Sequence, residues 1–186
     1  MMTAVWTPPI TWLVDQLVTE QDLNEQVRDN LEFLYVGLVG YVLIRDEKTQ
    51  GTDGGTFSAG AWQTRDLNAI KSDAGGHAAL AANQITLAAG VYRCRIQCPA
   101  YQVAKHQARL YSVTDGLTLA LGSSQRVATA AGVAVPSIII GRFTLSAPKV
   151  LEVQHRCETT MSASGFGIAA NLETEVYTIA EFWKES

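Results

Sequence analysis

The feature that most constrains this chain is a strict two-residue alternation of side-chain character in its middle and towards its end. In residues 91–98, Tyr92, Cys94, Ile96 and Cys98 point one way while Arg93, Arg95 and Gln97 point the other. Residues 149–157 repeat the pattern, with Leu151, Val153, His155 and Cys157 opposite Glu152, Gln154 and Arg156. A helix would scatter these residues around its circumference, whereas a half-buried strand collects them on one dry and one wet face. Further strand candidates are 41–45, 61–68, 84–87, 137–145 and 175–184, separated by Gly-, Ala- and Ser-rich turns. Asp115-Gly116, between 108–113 and 117–121, supplies the positive φ angles of a tight hairpin. About eight short strands with no long helix between them predict a mainly β fold, an antiparallel β-sandwich or jelly roll.

The N-terminal part reads differently. Residues 1–12 have extended character and carry Trp6, Pro8, Pro9 and Trp12, large surfaces without a periodic partner. Thr19 followed by Asp22 approximates a capping box and opens a short amphipathic helix over 20–34. Leu23, Val27, Leu31 and Leu34 form its apolar stripe, with Asn30 beside them. Some four turns are marginal in isolation, so the stripe must pack on the chain's own domain, on a sister subunit or on a larger assembly. The expected division is an attachment peptide and helix over 1–36, a connecting segment with a first strand over 37–55, and the sandwich over 56–186. Residues 51–55, rich in glycine, read as a hinge.

The last strand has two apolar faces. Val176, Ala180 and Phe182 lie on one, and Tyr177, Ile179 and Trp183 on the other. A sandwich strand ordinarily wets one face, so the second set is expected to meet another subunit. Arg93, Arg95, Lys105, Arg109 and Arg156 would form an exposed row suited to carboxylated sugars if their strands are neighbours, with Arg93, Arg95 and Arg109 as the candidate glycan contacts. Trp62 and Tyr101 are candidates to stack on a sugar.

Other chemistries find little support. A net charge of −4 with no run of Lys or Arg argues against nucleic acid. The longest apolar stretch, 35–44, is about half of the roughly 20 residues a membrane helix needs, so no membrane insertion is expected. The first residues lack the basic start and long apolar middle of a secretory signal, as in a chain made in the cytoplasm. Cys94 and Cys98 sit roughly 13 Å apart along one strand, too far for a disulfide. His106, His155, Cys157, Cys94 and Cys98 are metal-competent residue types but lack ligand-pair spacing, and small core residues are the commoner role for strand cysteines. No Gly-Xaa-Ser-Xaa-Gly turn, diagnostic carboxylate pair or phosphate-cradling loop is present, so neither a catalytic site nor a cofactor is expected.

The segment ITWLVDQLVTEQDLNEQVRDNLEFL resembles the opening of many tailed-bacteriophage virion proteins, in which a Trp-containing peptide precedes an Asn-Xaa-Xaa-Val-Arg-Asp-Asn helix. GTFSAGAWQTRDLN, ITLAAGVYRCRIQCPAY, HQARLYSVTDG, GRFTL, LEVQHRC and GFGIAANLETEVYTIAEFWK resemble phage fibre-type jelly rolls. The same order of strands is similar to the trimeric jelly rolls of complement and tumour-necrosis-factor type. The resemblance implies a homotrimer with its final strands near the threefold axis and a virion location among capsid or tail proteins. The roles it implies are a short fibre, spike or decoration subunit, or a receptor- or glycan-binding head; a polysaccharide hydrolase is the remaining alternative.

Overall fold

A computed structural model describes residues 6–130 and 132–185, with the side chains of residues 36–38 left aside. Twelve strands make two antiparallel sheets: β1 (Tyr41–Lys48), β2 (Gln63–Thr64), β3 (Ala69–Asp73), β4 (Ala78–Ala81), β5 (Gln84–Leu87), β6 (Gly90–Tyr101), β7 (Ala104–Ser112), β8 (Leu117–Leu121), β9 (Gln125–Val127), β10 (Ala134–Leu145), β11 (Lys149–Cys157) and β12 (Glu175–Lys184). One sheet has the order β10-β6-β12-β1-β3. The other runs β4-β5-β11-β7-β8, with β2 added to β11 and β9 to β7. The expected mainly β sandwich is therefore the observed architecture.

The two alternating segments are β6 and β11, one in each sheet. Tyr92, Cys94, Ile96 and Cys98 from β6 and Leu151 and Val153 from β11 all turn inward and are buried. Val42 and Ile44 from β1 and Phe182 from β12 complete the wall of this main core. Fully burying each such side chain stabilises the fold by about 1.5–3 kcal/mol. A second cluster at one end gathers Phe57, Val103, Val127, Cys157 and Phe166. The three cysteines are free and buried, and burial pushes each thiol up to about 11.

Between the two cores lies Arg65, fully buried, which sequence reading placed only within a strand. Its guanidinium donates to Thr178 Oγ1 (2.8 Å), Pro99 O (3.0 Å) and Phe166 O (3.1 Å), and stacks 4.2 Å from the Phe166 ring centre. A buried cation is tolerable only with this degree of satisfaction.

Several expectations are corrected. Of 61–68 only Gln63–Thr64 is strand; just beyond it the Arg65 N–H still donates to Val153 O on β11 (2.8 Å), and the side chains of Arg65 and Leu67 turn into the core. The turn between β7 and β8 has four residues. Only Gly116 has positive φ (68°), while the Ser112 hydroxyl and Asp115 bond each other locally. Residues 51–55 are not a hinge: Gly54 N–H donates to Gly167 O (2.8 Å) and Gly55 N–H to Ala163 O (2.7 Å). A Cβ at Gly54 would meet the Phe166 backbone at 2.8 Å, so glycine is there for close packing.

The helix begins as expected. Thr19 and Asp22 form a complete capping box. It continues past residue 34 to Val39, through α1 (Glu20–Leu23), a π-helical turn (Asn24–Asp29) and α2 (Asn30–Val39). It is one-sided only in its first half, since Leu31, Phe33, Leu34 and Tyr35 in α2 are all exposed around successive sides. Among the described residues no helix is long and apolar enough to cross a membrane.

Candidate functional site

The outer face of the five-stranded sheet follows from strand parity. Because Val42, Ile44, Cys94, Ile96, Ile139, Ala180 and Phe182 turn inward, their neighbours Tyr41, Leu43, Arg93, Arg95, Ile138, Ile140, Ile179, Glu181 and Trp183 turn outward. Register brings them into rows. Ile138, Gln97 and Ile179 lie abreast, then Ile140, Arg95, Glu181 and Leu43, then Arg142, Arg93, Trp183 and Tyr41. Ile140, 73% exposed, lines a groove of about 500 Å³ together with Arg93, Arg95, Arg142 and Trp183.

Each arginine bordering the groove reaches a carboxylate on this face, two of them the same one. Arg93 and Arg142 both reach Glu185, at 2.6 and 2.7 Å, and Arg95 reaches Glu181 at 3.3 Å. Tyr41 donates its hydroxyl to Glu181 (2.9 Å) and packs its ring 5.5 Å from that of Trp183. Burial, and then the bond to Glu181, push the Tyr41 phenol up. The result is an apolar field bordered by engaged charges, a composition suited to a protein partner.

Of the three residues expected at a subunit interface, Ile179 and Trp183 lie on this face and Tyr177 does not. Between Arg45 and Glu47 the strand β1 has one residue, where β12 has two, Tyr177 and Thr178. This bulge reverses the alternation of β12. Tyr177 turns into its own chain, 5% exposed, donating to Thr52 O at 2.7 Å, while Val176 turns out. A Cβ on Gly167 would overlap the Tyr177 ring, so the pocket for this tyrosine is intramolecular.

The expected arginine row is also corrected. Arg93 and Arg95 belong to the five-stranded sheet, whereas Arg109 lies on β7 in the opposite sheet. Arg109 is held between the rings of Trp62 (4.2 Å) and Tyr111 (4.4 Å) and donates to Gln154 Oε1 at 2.7 and 2.9 Å. Tyr101 is buried, so it offers no face to a sugar.

The N-terminal residues build a second surface. Asn30, 7% exposed, reads the backbone of Thr7 with both amide atoms: Thr7 N–H donates to Oδ1 (2.9 Å) and Nδ2 donates to Thr7 O (3.0 Å). One helical turn earlier, Gln26 Oε1 accepts from Ile10 N–H (3.1 Å). The peptide is thus strapped to the helix, with Trp6 6.0 Å from Phe33. Trp12, Leu23, Val27, Leu31 and Leu34 remain exposed, so the stripe does not pack on its own sandwich.

His106 and His155 form a buried pair, Nδ1 to Nε2 at 3.0 Å. Burial first, then the Arg65 charge, pull His106 down to about 4 and His155 well below the usual range. Cys94 and Cys98 lie elsewhere, and among the described residues no group of three His, Cys, Asp or Glu side chains is disposed to hold a metal ion. Sequence reading missed Tyr41, Leu43, Ile140, Glu181 and Glu185 as members of the outer face. For Tyr41 and Leu43 the signal was available, since both alternate with Val42 and Ile44.

No protein-family model and no curated protein matches the sequence. Among solved structures the chain is similar to the globular domain of zebrafish complement 1qA protein, with a TM-score of 0.47 and 14% identity, covering 78% of this chain and 96% of that one. It is similar to murine APRIL with a TM-score of 0.45 and 13% identity, over 77% and 98% of the two chains. The PRD1 vertex protein P5 gives a TM-score of 0.45 and 14% identity, over 80% and 99%.

Proposed function

We propose that the chain is a structural subunit of a bacteriophage virion, a short fibre, spike or decoration protein. Its sandwich associates as a homotrimer, and its N-terminal peptide and helix attach it to capsid or tail proteins. The observation that carries this reading is the outer face of the five-stranded sheet, where Ile140, 73% exposed, stands in one field with the half-buried Ile138, Ile179, Leu43 and Trp183. Water does not favour such a field, and a sister copy of the same face or its edge removes it. The number three and the virion setting rest on the resemblance of the sequence motifs.

The attachment role is supported by the exposed stripe Leu23, Val27, Leu31 and Leu34 and by Trp12, carried on a segment whose backbone is already ordered by Asn30 and Gln26. A pre-ordered peptide loses less entropy on docking than a loose one. Deleting residues 1–34 is expected to leave a folded, soluble oligomer of unchanged stoichiometry that no longer incorporates into particles. Undiminished incorporation of the truncated chain would contradict the assigned division of labour.

A further inference from the structure

At the other side of the molecule, the sheet containing β7 carries a groove of about 710 Å³ that the association face does not involve. Its floor is three adjacent strands. β9 pairs with β7 through Lys105–Arg126 and His106–Gln125, and β11 pairs with β7 through Gln107–Arg156 and His106–Cys157. Three cations, Lys105, Arg126 and Arg156, therefore border it against one carboxylate, Glu158. Glu158 is engaged by Lys105 at 2.8 Å, and among the described residues neither Arg126 nor Arg156 has a side-chain hydrogen bond or ion pair. On a chain whose net charge is −4, this is a local reversal of sign.

The rest of the lining says what kind of anion fits. Gln107 and Gln125 donate their amide N–H groups to Gly122 O (2.8 Å) and Ser123 Oγ (3.1 Å), which leaves their amide oxygens as acceptors. A bare phosphate or sulfate has no use for acceptors. A ligand with both a carboxylate and several hydroxyl donors uses all of these groups together. Trp62 also borders the groove, its indole steadied on one side by Arg109, and supplies the apolar surface on which a pyranose ring packs.

We infer that this groove binds a carboxylated saccharide, with Arg126 and Arg156 on the carboxylate and Gln107 and Gln125 on ring hydroxyls. The inference does not depend on the association face or on the attachment helix. Calorimetric titration of the full chain with trigalacturonate tests it, with maltotriose, inorganic sulfate and a short single-stranded oligonucleotide as comparisons. Trigalacturonate is expected to bind one per chain, at least about tenfold more tightly than any of the other three, and Arg126→Ala with Arg156→Ala to weaken it at least about tenfold, the scale of one lost charge-assisted contact. Both arginines lie at the surface, so circular dichroism of the double variant is expected to match the parent. Trp62→Ala gives a separate arm and should weaken trigalacturonate binding too. The assignment is overturned by absence of trigalacturonate binding, by sulfate or the oligonucleotide binding as tightly, or by a folded double variant that binds like the parent.

Discussion

The two outer faces of the sandwich are built from the same alternating strands and finished in opposite ways. On the seven-stranded sheet, Glu152 accepts hydrogen bonds from Thr64, Gln84 and Gln154, at 2.8, 2.9 and 2.7 Å, and Arg109 is clasped by two aromatic rings. Those side chains satisfy one another, and the exposed leucines of this sheet, Leu117 and Leu121, lie on its edge strand β8. On the five-stranded sheet the corresponding positions hold Ile138, Ile140, Ile179, Leu43 and Trp183, and the arginines bordering the groove reach carboxylates on the face. Strand alternation therefore supplies two faces per sheet, and the chemistry placed on the outer one decides whether the sheet ends in solvent or in another subunit.

The wall common to both faces is the most sensitive place to break this arrangement. Phe182→Ala, at a fully buried ring between Val42 and Cys94, is expected to cost about 3–5 kcal/mol in urea unfolding and to erase the distinction between the faces.

Acid comes next. His106 is pulled down to about 4 and His155 well below its ordinary value by burial and by Arg65, while an unfolded histidine titrates near 6.5. Above pH 6.5 both states are neutral and the pair confers no pH dependence. Below it the unfolded chain binds protons that the folded chain refuses, so stability falls as pH drops from 6.5 to about 4, by up to about 3 kcal/mol from His106 with a further loss in the same direction from His155, and then levels off as far as His106 is concerned. Urea midpoints across this range check the slope, which should flatten in His106→Gln.

Two surface substitutions then separate the faces. Trp183→Lys should weaken self-association by about 2 kcal/mol or more per contact while the sandwich remains folded, measured by light scattering alongside circular dichroism. Glu152→Ala, on the satisfied face, should lower folding stability by only about 1 kcal/mol and leave the oligomer unchanged. If Glu152→Ala dissociates the protein and Trp183→Lys does not, the assignment of the two faces is reversed.

Much of this was legible in the sequence where a run of alternating or β-prone residues was bounded by turn residues. The bounds of β5 and β12 coincide with the expected strands, and the inward sets of β6 and β11 are the residues named from spacing. The short strands Ala69–Asp73, Ala78–Ala81 and Gln125–Val127 carry too little periodicity or β-branched content to register. Tyr177 was misplaced because a bulge is a property of the pair β1–β12, and spacing within one strand cannot encode it. Arg109 was misplaced for a related reason, since which sheet a strand joins is settled by tertiary pairing. The groove bordered by Arg126 and Arg156 draws on strands far apart in sequence, and β9 among them gave no local signal.

Sedimentation equilibrium of the full chain, across a wide concentration range, bears most directly on the covered-face account. It predicts a particle of three times 20.1 kDa that persists on dilution into the micromolar range. A single species of 20.1 kDa at the highest concentrations reached, with Trp183 open to a soluble quencher, would contradict it.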